Sequence, residues 1–163
     1  MSKSLDGLKV AFAGESQANR KYLAYAEKAE KEGFSQAARL FRAAAAAETI
    51  HAMSHFRTMG AIKTTAENLE DAAAGEKYES VTMYPNFITD AEAEGDKAAI
   101  FSFEKAMKAE VVHEKLYREM TDDLKKGGDF NYFLCPVCGY IEKNSIPEKC
   151  PLCGAPAARF EKF

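Results

Sequence analysis

The 163 residues contain no apolar run approaching the ~20 needed to cross a membrane as a helix. There is no basic arm and no basic amphipathic run, and the net charge is −3. That balance excludes the electrostatic footprint of a nucleic-acid binder. The N-terminus, MSKSLDGLKV, has neither an apolar core nor a cleavage site. It does not read as an export signal, which points to the cytoplasm. Cysteine is absent before Cys135, and Pro85 is the sole proline ahead of that point. A disulfide framework spread through the chain is therefore excluded, and long uninterrupted helices are favoured. Hydrophobic residues make up 47% and charged residues 29%, the ordinary balance of a globular protein.

What is present is helical. Phe12, Glu15, Asn19 and Tyr22 recur at helical spacing, so the buried stripe of a first helix includes a carboxylate. Gly33 ends that helix, and a second spans about 34–59, stopped by Gly60. Its alanine block, Ala43–Ala47, predicts close helix–helix approach. Thr64 and Glu67 form a capping-box pattern that starts a third helix at Thr65. Pro85 predicts a kink in it, with the apolar spacing continuing to Glu94. Asp96 caps a fourth helix over 97–126, ending on two lysines, and Gly127–Gly128 is a hinge. The expected fold is mainly α: an antiparallel four-helix bundle over 1–128, then a separate module over 129–163. That module is too short to build a core without a staple.

Two helices carry the same odd pair. Glu48 and His51, and again Glu110 and His113, stand three apart and project from one helix face. Glu15 lies about one hairpin upstream of Glu48, and Glu79 lies nearly as far upstream of Glu110. The chain thus reads as two helical hairpins, each offering Glu on its first helix and Glu-x-x-His on its second. That donor set matches dinuclear carboxylate bundles. Four carboxylates neutralise two divalent ions, whereas the same carboxylates buried without metal cost several kcal/mol each. Mixed oxygen and nitrogen ligation suits iron or manganese. Tyr22, seven positions after Glu15, shares its face. His55 stays outside the ligand set, and Glu76 is a further ligand if the third helix is distorted, with a surface role favoured.

All four cysteines fall in two knuckles, Cys135-Pro-Val-Cys138-Gly139 and Cys150-Pro-Leu-Cys153-Gly154. Four thiolates fit tetrahedral zinc or iron equally. Zinc implies a structural ribbon, iron a one-electron carrier.

The segments AFAGESQANRKY (11–22), ETIH (48–51), GEKYESVTMYP (75–85), EVVHEK (110–115) and CPVCGY…CPLCGAP resemble the rubrerythrins over essentially the whole chain. The resemblance implies a ferritin-like di-iron bundle followed by a rubredoxin-like Fe(Cys)4 domain, with peroxide reduction as the activity. It implies di-iron ligation by Glu15, Glu48, His51, Glu79, Glu110 and His113. It also implies mononuclear ligation by Cys135, Cys138, Cys150 and Cys153, with Tyr22 beside the di-iron site. The implied partners are hydrogen peroxide or O2, a rubredoxin or NAD(P)H-dependent reductase as electron donor, and a second copy of the chain. The assembly is a homodimer or larger, in some members helix-exchanged, with one subunit's rubredoxin centre close to another's di-iron site. One position departs from the expected pattern: Thr82 stands where an additional ligating Glu is expected. On that reading His51 stays bound in both redox states, and an O2-using ferroxidase competes with the peroxidase. A zinc-stabilised binding protein is the third reading.

Overall fold

The computed structural model describes residues 2–163. Its first compact unit ends at Lys63 and its second is Thr64–Phe163.

In the first unit, α1 (Lys3–Lys31) and α2 (Ser35–Thr58) fold back on each other. Gly33 takes φ +82°, the left-handed conformation that lets the chain reverse in a short turn. The interface is built from small residues: Ala26 and Ala29 on α1, and Ala38, Ala45 and Ala52 on α2, are buried. The three α2 alanines lie seven apart, two helical turns, so they form one stripe. This is the close approach that the alanine block predicts. Asn19 fixes the alignment, donating through Nδ2 to the Ala45 carbonyl at 2.7 Å and to Thr49 Oγ1 at 2.8 Å. Phe12 and Phe56 stack at 4.8 Å near the open end of the hairpin.

In the second unit, α3 (Thr65–Tyr78) begins at the predicted capping box, with both reciprocal bonds made between Thr64 and Glu67. The chain then runs through a π turn, Glu79–Met83, directly into α4 (Tyr84–Glu94). The predicted kink at Pro85 is thus realised as a widened turn just before it. Proline has no N–H to give the carbonyl four residues back, and one extra residue in the turn absorbs the mismatch. Asp96 caps α5 (Lys97–Asp123), accepting from the N–H groups of Ala98 and Ala99 at 3.0 Å. This helix stops three residues earlier than expected. Gly127, at φ +66°, returns its N–H to the Asp123 carbonyl, which places Lys125 and Lys126 in the turn rather than in the last helical turn.

The terminal module is a three-stranded antiparallel sheet, β1 (Tyr132–Leu134) between β2 (Ile141–Lys143) and β3 (Glu161–Lys162). It rests on α5 through the half-buried Val112 and a Lys143–Asp123 ion pair at 2.8 Å. No helix among the described residues is long and apolar enough to cross a membrane.

Candidate metal centres

The first unit brings Glu15, Glu48 and His51 together, with one donor atom of each within 4.8 Å of the others. Glu48 Oε2 lies 2.8 Å from His51 Nδ1, the turn-to-turn contact that the i, i+3 spacing dictates. The Glu48 side chain is 18% exposed but that of His51 is 54% exposed, so the imidazole sits at an open rim. Tyr22 is half-buried in an aromatic cluster with Tyr25 and Phe41. His55 lies outside this donor group, as the sequence reading has it.

The second unit brings together Glu76, Glu110 and His113. Glu76 rather than Glu79 completes the group, so of its two readings the one beside a distorted third helix is favoured over the surface role. The π turn starts at Glu79, while Glu76 lies in the regular last turn of α3 facing α5. The His113 Nδ1 is 2.7 Å from Glu110 Oε2 and 3.8 Å from Glu76 Oε2. Glu79 remains within electrostatic reach, since burial and the Glu110 carboxylate together push its carboxyl above the ordinary value. The third helix therefore supplies two carboxylates near Glu110 and His113. Thr82 offers no carboxylate to this group, and Glu76 stands one turn before Glu79. Thr82 itself is exposed.

A sequence signal for Glu76 exists. Gly14-Glu15 and Gly75-Glu76 are the same dipeptide, and the stretch from Glu76 to Glu110 is only one residue longer than that from Glu15 to Glu48. Counting from Glu79 gives a poorer match. Periodicity gives no warning of Tyr84 and Tyr117. Burial and the carboxylates at Glu110 and Glu76 raise both phenols above their ordinary value.

The electrostatics of this group favour a cation. Burial and a hydrogen bond to Glu110 push Glu76 up to about 7, so it holds a proton near neutrality. Glu110 is lowered by its hydrogen bond to His113. His113 is raised, chiefly by Glu110 and further by the Gly139 carbonyl. The His113 Nε2–H donates to that carbonyl at 2.8 Å. Divalent ions at these carboxylates would replace the proton and the imidazolium charge, leaving Nδ1 as ligand and Nε2–H on Gly139. That arrangement fixes the tautomer as metal-bound histidines require. An apolar cavity of about 370 Å³ adjoins, with His113 and Tyr117 in its wall.

The four cysteine sulfurs also lie within 4.8 Å of one another. Cys135 Sγ is 3.6 Å from Cys153 Sγ, and Cys138 Sγ is 3.5 Å from Cys150 Sγ. A tetrahedron with metal–sulfur bonds of about 2.3 Å has edges of about 3.8 Å, so the thiols need almost no movement to hold one ion. Gly139 and Gly154 take φ +81° and +74°, which folds each knuckle back so that its glycine N–H reaches the first cysteine carbonyl at 2.9 Å. Burial and the neighbouring thiols push the Cys138 thiol up, opposed by the Tyr140 N–H.

The comparisons with known proteins agree with these two donor sets. The rubrerythrin family profile matches residues 6–121, and the profile of the rubrerythrin rubredoxin-like domain matches residues 133–161. Nigerythrin of Nitratidesulfovibrio vulgaris is 38% identical over 100% of this chain and 88% of its own length. Rubrerythrin of Porphyromonas gingivalis is 37% identical, over 99% of this chain and 93% of that protein. Among solved structures, nigerythrin in a partially reduced state superposes with a TM-score of 0.62 at 38% identity, over 100% of this chain and 88% of that one. Nigerythrin in a fully reduced, all-ferrous state gives 0.62 at 37%, with the same coverage. With carboxylate/imidazole groups placed for a di-iron centre and four cysteines placed for a rubredoxin-like one, the chain belongs to the rubrerythrin family.

Proposed function

We propose that this protein reduces hydrogen peroxide to water, taking electrons in at the cysteine module and delivering them to the carboxylate/imidazole centre. The observation that carries the reading is His113. One of its nitrogens faces Glu110 and Glu76, while the other donates to Gly139, the residue after Cys138. A single side chain thus links the two donor sets through a hydrogen bond and one residue of backbone. The link lies within one chain, whereas the family pattern puts the two centres of one pair on different subunits. Iron at both sites supplies the redox chemistry, H2O2 + 2e⁻ + 2H⁺ → 2H2O.

We assign the di-iron centre to Glu15, Glu48, His51, Glu79, Glu110 and His113, and add Glu76 as a seventh ligand. The functional division is 1–128 for the di-iron part and 129–163 for the Fe(Cys)4 part. Tyr84 and Tyr117 keep their phenol protons beside the centre and are its available hydrogen-bond donors. Tyr22 supports the first hairpin from its aromatic cluster. The ferroxidase alternative rests on the want of a carboxylate at Thr82, and with Glu76 in the group that motive goes. So does the reason for expecting His51 to stay bound in both redox states. The donor is a rubredoxin or an NAD(P)H-dependent reductase, in a reducing cytoplasm. A homodimer or larger assembly is supported by a first hairpin whose buried residues are alanines while Val10, Leu40 and Ile50 stay exposed.

The test is a single turnover. Iron-loaded protein, fully reduced without oxygen, is mixed with one equivalent of H2O2 per two electrons. Return of the oxidised thiolate–iron absorption with release of water is expected. If both centres stay ferrous, the protein is not a peroxide reductase.

A further inference from the structure

Electrons must enter the cysteine module from outside, and the molecule has a shaped entrance beside it. A depression of about 320 Å³ lies between α5 and the two knuckles, lined by Phe101, Glu104, Lys105, Lys108, Val137, Leu152 and Cys153. Val137 and Leu152 are the residues just before the second cysteine of each knuckle, so both loop tips meet there. Cys153, a metal ligand, forms part of the floor. Phe101 is 65% exposed and Val137 is 42% exposed. A cluster of exposed apolar side chains rimmed by charge is the signature of an interaction site.

The rim is basic although the chain is acidic. Lys105 is held in place, its ammonium donating to the Val137 carbonyl at 3.3 Å and lying 4.8 Å over the Phe101 ring. Lys108 pairs with Glu104 at 3.1 Å. Two lysines against one glutamate leave the rim positive, in a chain whose net charge is −3. Such a local reversal of sign steers a partner of the opposite charge. On the electron flow proposed above, the exit is at the other knuckle, where His113 donates to the carbonyl of Gly139 beside Cys138. Entry at the Cys153 side and exit at the Cys138 side let donor and acceptor be engaged together.

We propose that this composite depression, half bundle helix and half knuckle, docks a small, acidic one-electron carrier protein. The inference rests on the electron flow proposed above. In the docked pair the carrier is oxidised by one electron and the ferric thiolate centre is reduced by one, with no bond made or broken. Apolar contact at Phe101, Val137 and Leu152 supplies a small, short-lived interface, as redox encounters require.

The probes are an acidic rubredoxin and, as its redox-inert counterpart, the same protein carrying zinc. Binding of the zinc form to the iron-loaded protein is measured by calorimetry at low salt, and reduction by the iron form is followed by stopped-flow absorption. The variant Lys105→Glu/Lys108→Glu is expected to weaken binding and slow reduction by about tenfold or more, and to flatten the salt dependence. Lys28→Glu/Lys31→Glu on α1, with the same charge change, is expected to alter either by less than about twofold. Val137→Asp, which leaves the lysines in place, is expected to weaken binding as well. Wild-type affinity in the α5 double variant, or tighter binding of a basic carrier than of the acidic one, overturns the proposal. The peroxide single turnover on pre-reduced wild-type protein needs no carrier, so it judges the peroxidase reading independently of this surface.

Discussion

The two half-sites of the proposed di-iron centre share a sequence plan and differ in almost every physical respect. Each has a Gly-Glu on its first helix and Glu-x-x-His on its second. In the first unit the histidine is 54% exposed, and the carboxylate one turn before it is its only polar partner among the described contacts. In the second the histidine is 17% exposed and is held from both sides, by Glu110 on Nδ1 and by Gly139 on Nε2. The first half-site is aligned by a clamp between its own two helices. The second is aligned by a clamp to the cysteine module. A histidine held at one nitrogen is free to turn, whereas one held at both is fixed. On the electron path proposed above, His113 is therefore the fixed connecting residue and His51 the histidine expected to move.

The largest effect expected from that difference is on the two histidines themselves. His113→Ala removes a ligand and the link to Gly139 together. Iron affinity of the di-iron centre should fall by at least about 100-fold, with slow oxidation of any ferrous thiolate centre by peroxide. His51→Ala should lower iron affinity by about tenfold and leave the link between the centres intact. Iron per chain after dialysis, with stopped-flow reoxidation at the thiolate band, separates the two. Equal losses in both variants would erase the asymmetry.

Much of this is legible in the sequence, and the failures have local causes. Helix starts are readable because capping is chemistry between residues three apart: Thr64 with Glu67, and Asp96 with the N–H groups after it. The cysteine centre is readable because knuckle spacing leaves little alternative. Glu76 and Glu79 stand three apart on one helix face, so periodicity cannot choose between them. The π turn that starts at Glu79 leaves Glu76 in the regular last turn of α3, and a distortion of that kind is not announced by residue types. The His113–Gly139 bond spans 26 residues and uses a backbone carbonyl, so no pattern of residue types announces it.

The second difference is in proton linkage. Glu76 has an ordinary value of 4.5 and a folded value of about 7. The folded protein therefore binds its proton more tightly than the unfolded chain does. This contribution is fully present below 4.5 and is lost as pH rises through about 7. His113, raised above 6.5, acts in the same direction, its contribution lost as pH rises through the folded value. Glu110 acts oppositely: its lowered value gives stability above 4.5 that is lost at more acid pH. Metal-free protein should be most stable at weakly acid pH, with the melting temperature falling on the order of 5 °C between about pH 5 and pH 8. Glu76→Gln should flatten most of that slope. Thermal melts across pH after chelation measure it, and a melting temperature rising over the same range would contradict the assignment.

The smallest effect tests the other clamp. Asn19 joins α1 to α2 across the alanine stripe through Ala45 and Thr49, while the exposed Arg42–Glu30 pair at 2.9 Å ties the two helices nearer the turn. Asn19→Ala removes two hydrogen bonds, each contributing about 1 kcal/mol net, and should lower the melting temperature of metal-free protein by about 3–6 °C. The damage should stay in the first half-site, because the second is aligned from the cysteine module. Iron at Glu15, Glu48 and His51 should be lost more readily, while the thiolate–iron spectrum stays unchanged. Should the thiolate centre respond as strongly as the first half-site, the two clamps would not act independently, and the division of labour between His51 and His113 would have to be abandoned.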